Sequence, residues 1–214
     1  MTALKKVNGF MFPGEDREGA EAMFLTLPDL EAYYPFCQKF DVAVQAGGNV
    51  GVWPKKIAEK FKAVYTFEPD HENFGCMNFN LMDAPNVIKM QAALGSHPGT
   101  VGMHRVPQNA GAHYVEGPGI IPTLRIDDLG LSGLDFLMLD VEGYELAAIL
   151  GAEKAIRAFQ PAIVTEDKHY RAGSQRGDVE AFLARIGYAK IAQKHRDAVF
   201  APIGRQANSV VNIA

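Results

Sequence analysis

Three glycines, Gly47, Gly48 and Gly51, follow the short apolar run 41–45, and a carboxylate, Glu68, closes the next apolar run, 63–67. Ala46, Gly48 and Gly51 make an A-x-G-x-x-G pattern, whose small residues let a ligand approach the main chain closely. A helix beginning there would offer free N–H groups at its start. The chemistry this suits is the gripping of a nucleotide-type group. Glu68, seventeen residues beyond Gly51, stands where such sites place an acceptor for two ribose hydroxyls. A second set of polar residues follows two further apolar runs: Asp140 and Glu142 after 134–139, and Glu166, Asp167 and His169 after 161–164. Carboxylates and imidazoles are the groups that move protons in enzymes.

To work together, these residues need a scaffold that gathers strand ends at one opening. The run 41–45 reads as a buried strand entering a turn, and Val50, Trp53, Ile57, Ala58 and Phe61 recur at helical spacing, with Pro54 in a tolerated first turn. A second strand is predicted over 63–67, a helix over 71–81, and a third strand over 86–90. A fourth strand covers 134–139, a helix 145–159 with Leu146, Ile149, Leu150 and Ile156 on one face, and a fifth strand 161–164. Such alternation implies a mostly parallel sheet covered on both faces. Residues 1–40, with the helix-like stretch 18–34, predict an N-terminal cap on a single domain whose main body is 41–214. The glycine- and proline-rich stretch 95–123 reads as a hairpin or lid, and 198–201 and 209–211 as antiparallel edge strands.

With 214 residues, 48% of them hydrophobic, the chain can bury a real core, which excludes disordered and collagen-like classes. Its 21 basic and 25 acidic residues, net charge −4, are interspersed and supply no basic stripe, so no nucleic-acid partner is expected. Cys37 and Cys76 fit neither a disulfide framework nor a zinc site. No stretch reads as a signal peptide or approaches a membrane span, so a cytoplasmic protein with no membrane partner is expected. His97, His104 and His113 are spaced unlike a helical metal pair and read as surface or lid residues. At this level the adenosine-bearing ligand is either NAD or S-adenosylmethionine. No tyrosine has a lysine four residues later and no second substrate domain fits in the length, which weighs against a dehydrogenase.

Four blocks add specificity: V-Q-A-G-G-N-V-G at 44–51, V-Y-T-F-E-P at 64–69, T-L-R-I-D-D-L at 123–129 and L-D-V-E-G-Y-E at 139–145. In this order and spacing they resemble the FkbM-type S-adenosylmethionine-dependent methyltransferases. The resemblance implies a class I methyltransferase fold: an α/β, Rossmann-like three-layer sandwich around a mostly parallel seven-stranded sheet with one antiparallel strand. It implies S-adenosylmethionine as cofactor and methyl transfer to a hydroxyl of a sugar or other small molecule. Cofactor contacts would come from Gln45, Ala46, Gly47, Asn49, Val50 and Gly51, from Glu68 and Pro69, from Gln91, Ala92 and Ala93 around the adenine, and from Asp140. Gln45 stands where the family commonly has Asp, and Met138 where it often has Lys.

A hydroxyl acceptor needs a base, because its pKa lies far above 7. Asp140, Glu142 and His169 are the catalytic candidates, with His169 or Asp140 taking the proton. Asp140, Glu142 and Glu166 could offer three oxygens to Mg²⁺ or Ca²⁺, but the reading assigns no metal. Two other functions compete: a NAD-dependent oxidoreductase, and a cofactor-binding module without transfer activity, which Gln45 motivates.

Overall fold

A computed structural model describes residues 3–166, 176–205 and 207. The apolar runs become seven strands of one sheet: β1 (Val42–Ala46), β2 (Ala63–Phe67), β3 (Val87–Met90), β4 (Phe136–Leu139), β5 (Ala162–Glu166), β6 (Tyr188–Lys194) and β7 (Asp197–Pro202). Their order across the sheet is β6-β7-β5-β4-β1-β2-β3, with β7 antiparallel to both neighbours and the rest parallel. Every residue of β1 and β4 is buried, as continuous apolar strands covered on two sides must be. Alternate side chains enter opposite cores: Ala43, Phe136 and Met138 on one face, Val44, Leu137 and Leu139 on the other.

The first face is covered by the N-terminal residues, including α1 (Gly19–Thr26), and by α2 (Val52–Ala58) and α3 (His71–Asn80); the second by α4 (Glu145–Leu150), α5 (Glu153–Phe159) and α6 (Arg176–Arg185). Strand order reverses where β1 and β4 lie side by side, with Leu139 opposite Ala46. In open α/β sheets ligands bind at that reversal, beyond the carboxyl ends of the strands. Gly47 and Asp140 are the residues that emerge there.

The structure departs from the sequence reading in four places. The helix predicted over 145–159 is two helices, because the chain turns at Gly151, whose added Cβ would lie 2.0 Å from the Gly95 carbonyl oxygen. The second helix is capped from outside: Asp127 accepts the N–H groups of Lys154 (3.3 Å) and Ala155 (2.9 Å), since Ala152 at the N-cap has no side-chain oxygen. Asp127→Ala should therefore cost about 1 kcal/mol of stability in urea unfolding and leave cofactor affinity unchanged in calorimetry. A comparable loss of affinity would mean that this block touches the ligand.

The helix-like stretch 18–34 is likewise interrupted, by a 3₁₀ turn at Leu27–Asp29 containing Pro28, which cannot donate to the helical ladder. Residues 4–13 form a hairpin, Leu4–Val7 against Phe10–Pro13, turning on Asn8 and Gly9, both at positive φ. Finally, 198–201 lies inside β7, between β5 and β6, rather than at the edge; 209–211 is outside the described residues. The stretch 95–123 contributes short strands to two small sheets. None of the described helices is long and apolar enough to cross a membrane.

Candidate active site

A cavity of about 500 Å³ opens over the carboxyl ends of the central strands. On one side stand Gly47, Asn49, Glu68, Pro69, Ala92 and Ala93; on the other Asp140, Glu142, Tyr144, Glu166 and Asp197. Ala46 and Trp53 also line it.

The glycine turn is built more tightly than its pattern suggests. Gly47 sits at φ +81, and a Cβ there would lie 1.9 Å from the Asp140 carbonyl oxygen. At Gly48 a Cβ would meet the Thr66 hydroxyl and Met77, and at Gly51, φ +95, Leu81 and Met77. At these three positions glycine makes room for the protein itself. Gly47 alone of the three lines the cavity, so the idea that all three open the main chain to a ligand is replaced by a packing reason at Gly48 and Gly51.

Gln45 is also below the site. Its amide donates to the carbonyls of Ala46 (3.2 Å) and Gly47 (3.0 Å) and its Oε1 accepts from the Thr66 hydroxyl (2.6 Å), so it holds the turn from the core side. Val50 is buried in the core, Gly51 packs on α3 and Gln91 is exposed; with Gln45 they are the expected cofactor contacts that do not line the cavity.

Glu68 is 4% exposed. Its Oε2 accepts the Asn49 N–H (2.6 Å) and its Oε1 the Asp70 N–H (2.7 Å), leaving lone pairs on both oxygens for further donors. Burial pushes its carboxyl up to about 8, although these two hydrogen bonds pull the other way. Between the unfolded value, about 4.5, and about 8, the native state keeps a proton that the unfolded chain has released. Stability from this group is present below that window and is lost as pH rises through it, at up to about 1.4 kcal/mol per pH unit. Glu68→Gln should flatten that decline in urea unfolding between pH 5 and 8; an unchanged slope would assign the decline to other groups.

Residues 105–113 are fastened over this half of the cavity. Asn49 and Asn73 both donate to the Ala110 carbonyl (3.1 and 3.0 Å), and the Ala110 N–H donates to Asp16 (2.9 Å), which also accepts from the first turn of α1. Arg105 pairs with Asp70 (2.9 Å) and with Glu72. His113 lines the cavity with Nδ1 accepting the Val106 N–H (3.1 Å), and burial lowers its pKa, which favours a neutral ring presenting Nε2–H.

Across the cavity the D-V-E-G turn places Glu142 at φ +57 and Gly143 at φ +100. Glu145, the acid in the first turn of α4, accepts from Val141 (3.2 Å) and Gly143 (3.1 Å) and holds that turn closed, leaving Glu142 to face the cavity. Ligand-capable oxygens of Asp140, Glu142 and Glu166 lie within 4.8 Å of one another. All three are half-buried, and we assign no ion to them. His169 lies outside the described residues. Sequence reasoning missed Asp29, His195, Arg196 and Asp197, which line the same wall from the N-terminal region and the β6–β7 turn.

Residues 45–190, more than half of the chain, match the family described as the methyltransferase FkbM domain. The chain belongs to this family. Membership makes methyl transfer its reaction class and S-adenosylmethionine its cofactor. No curated protein sequence matches the FkbM-family chain. Among solved structures it is similar to methyltransferase FkbM from Methylobacillus flagellatus KT, with 20% identity and a TM-score of 0.52 over 76% of this chain and 43% of that one. It thus spans less than half the length of that relative. The ribosomal protein L11 methylase from Lactobacillus delbrueckii subsp. bulgaricus is 11% identical with a TM-score of 0.54, over 89% and 82% of the two chains. M. jannaschii TYW2, in complex with AdoMet, is 13% identical with a TM-score of 0.51, over 94% and 86%. These likenesses show the class I methyltransferase fold.

The cavity fits the cofactor on its own terms. Its volume is in the range of small-molecule sites, and a buried carboxylate with spare lone pairs faces it at the end of β2.

Proposed function

We propose that this FkbM-family domain methylates a hydroxyl oxygen of a sugar or another small molecule in the cytoplasm. The observation that carries the reading is one continuous cavity with an adenosine-type grip at the ends of β1 and β2 and a wall of carboxylates at the ends of β4 and β5. Gly47, Asn49, Glu68, Pro69, Ala92, Ala93 and Asp140 would hold S-adenosylmethionine, with Glu68 accepting from the ribose hydroxyls. When bound, it supplies an electrophilic methyl group on a sulfonium.

The protein's share is alignment of the two reactants, which can account for a large part of the acceleration, and removal of the acceptor proton. Asp140 and Glu142 face the cavity and serve the acceptor side. Asp29, Asp140, Glu142, Glu166 and Asp197 together make a mouth hostile to a phosphate backbone, which supports a small acceptor over a nucleic acid. Both cysteines are buried thiols, Cys37 pushed up to about 12 and Cys76 to about 11 by burial, which suits a reducing compartment.

Calorimetry with S-adenosylmethionine and with NAD tests the ligand, and S-adenosylhomocysteine release with methyl α-D-glucopyranoside and catechol tests the transfer. Micromolar binding of the first and release with at least one acceptor are expected. Binding of NAD alone would end the methyltransferase reading; cofactor binding with methylation only of amines would end the hydroxyl reading.

A further inference from the structure

Tyr33 comes from the N-terminal region and is completely buried, yet its hydroxyl donates a 2.6 Å hydrogen bond to Oδ2 of Asp197, 164 residues away in sequence. Asp197 is the first residue of β7 and stands in register opposite Glu166, the last residue of β5. Both line the cavity, as do Asp140 at the end of β4, Asp29 from the N-terminal region, and His195 and Arg196 on Asp197's own turn. Tyr33 does not. The arrangement therefore has a neutral donor behind a carboxylate and the cavity in front of it, with Oδ1 outside the Tyr33 bond.

We propose that Asp197 takes the proton from the acceptor hydroxyl and that Tyr33 is the residue that positions it. The inference rests on the methyl-transfer reading above and names the base that this reading needs. In the step, the acceptor O–H bond breaks and its proton passes to an oxygen of the Asp197 carboxylate. The freed oxygen pair forms the new carbon–oxygen bond while the carbon–sulfur pair returns to sulfur, leaving a neutral thioether.

Three features suit Asp197 to the role of base. Its orientation is set by a buried hydroxyl, and an oriented base within reach is the geometric requirement of general-base catalysis. That hydroxyl stays protonated, because burial and the adjacent carboxylate both push its pKa up. Burial, followed by Asp140 and Asp29, also raises Asp197 to about 6, while the Tyr33 bond and His195 act in the opposite direction. A carboxylate in that range is ionised at neutral pH and a better proton acceptor than an ordinary one.

The test uses the whole chain, with methyl α-D-glucopyranoside and catechol as acceptors and kcat/KM followed from pH 5 to 9. Asp197→Asn should leave S-adenosylmethionine affinity within about twofold and lower turnover about 10² to 10⁴-fold, the usual contribution of a positioned base. Tyr33→Phe, which keeps the ring and the packing, should move the acidic limb of the profile to higher pH, because the hydrogen bond that lowers the Asp197 pKa is gone. A merely structural tyrosine would not move that limb. Turnover by Asp197→Asn within threefold of the wild type, or an acidic limb that stays in place in Tyr33→Phe, would overturn the assignment while leaving methyl transfer intact. Failure of the unaltered protein to bind S-adenosylmethionine would instead overturn the function on which it rests.

Discussion

Gly47→Ala is expected to destabilise the domain by at least about 3 kcal/mol, placing it among the severe single substitutions. Two costs combine. A non-glycine residue at φ +81 gives up about 1 kcal/mol in backbone conformation, and the new methyl carbon would lie 1.9 Å from the Asp140 carbonyl oxygen. Relief would require β1 and β4 to part, but they are locked in register from Phe136 opposite Ala43 to Leu139 opposite Ala46, and the Asp140 N–H is bonded to the Ala46 carbonyl at 3.1 Å. The informative control is Gly75→Ala. Gly75 lies within α3 with nothing within 4 Å of an added Cβ, so that change should be neutral or stabilising by about 0.5–1 kcal/mol. Urea unfolding of both variants decides the matter: a Gly47→Ala protein as stable as the wild type would show that the turn is not held as described.

The second large effect is expected at Glu68. Glu68→Ala removes the acceptor from the Asn49 and Asp70 N–H groups and exposes both to burial without a partner, at about 1–3 kcal/mol each. It also removes the proposed acceptor for the ribose hydroxyls. Loss of two hydrogen bonds, at about 0.5–1.5 kcal/mol each, corresponds to about tenfold to a hundredfold weaker S-adenosylmethionine binding. Calorimetry at 25 °C, on protein shown by its unfolding curve to be folded, gives the answer. Less than a fivefold loss would take Glu68 out of the cofactor site and leave it as a structural acid of the turn.

The central alternation was legible because each strand is a short apolar run and each turn carries glycine or an acid. Runs such as 41–45 and 134–139 have one stable use in a chain of this size, as strands buried on both faces. The places that misread are those where two signals compete. Glu145 to Phe159 has continuous helical spacing, yet Gly151 closes against Gly95 and Asp127 starts a second helix from 26 residues upstream, contacts that no local pattern contains. The hairpin at Asn8-Gly9 did carry a local signal, the N-G pair of a tight turn, which could have found it.

The same distinction runs through the site. Its proposed cofactor half is mostly local: a turn after one strand and an acid after the next, joined by short connections, so that the spacing of Gly47, Gly51 and Glu68 already points to a nucleotide-type grip. The half proposed for the acceptor is assembled from distant parts. Asp29, Asp140, Glu166 and Asp197 meet because β7 inserts antiparallel between β5 and β6 and because the N-terminal segment packs beneath that turn. Periodicity determines which residues are buried and which strand ends carry carboxylates; it contains nothing about strand order. Whether Tyr33 points at Asp197 depends on long-range packing, and that was decided only when the chain closed on itself.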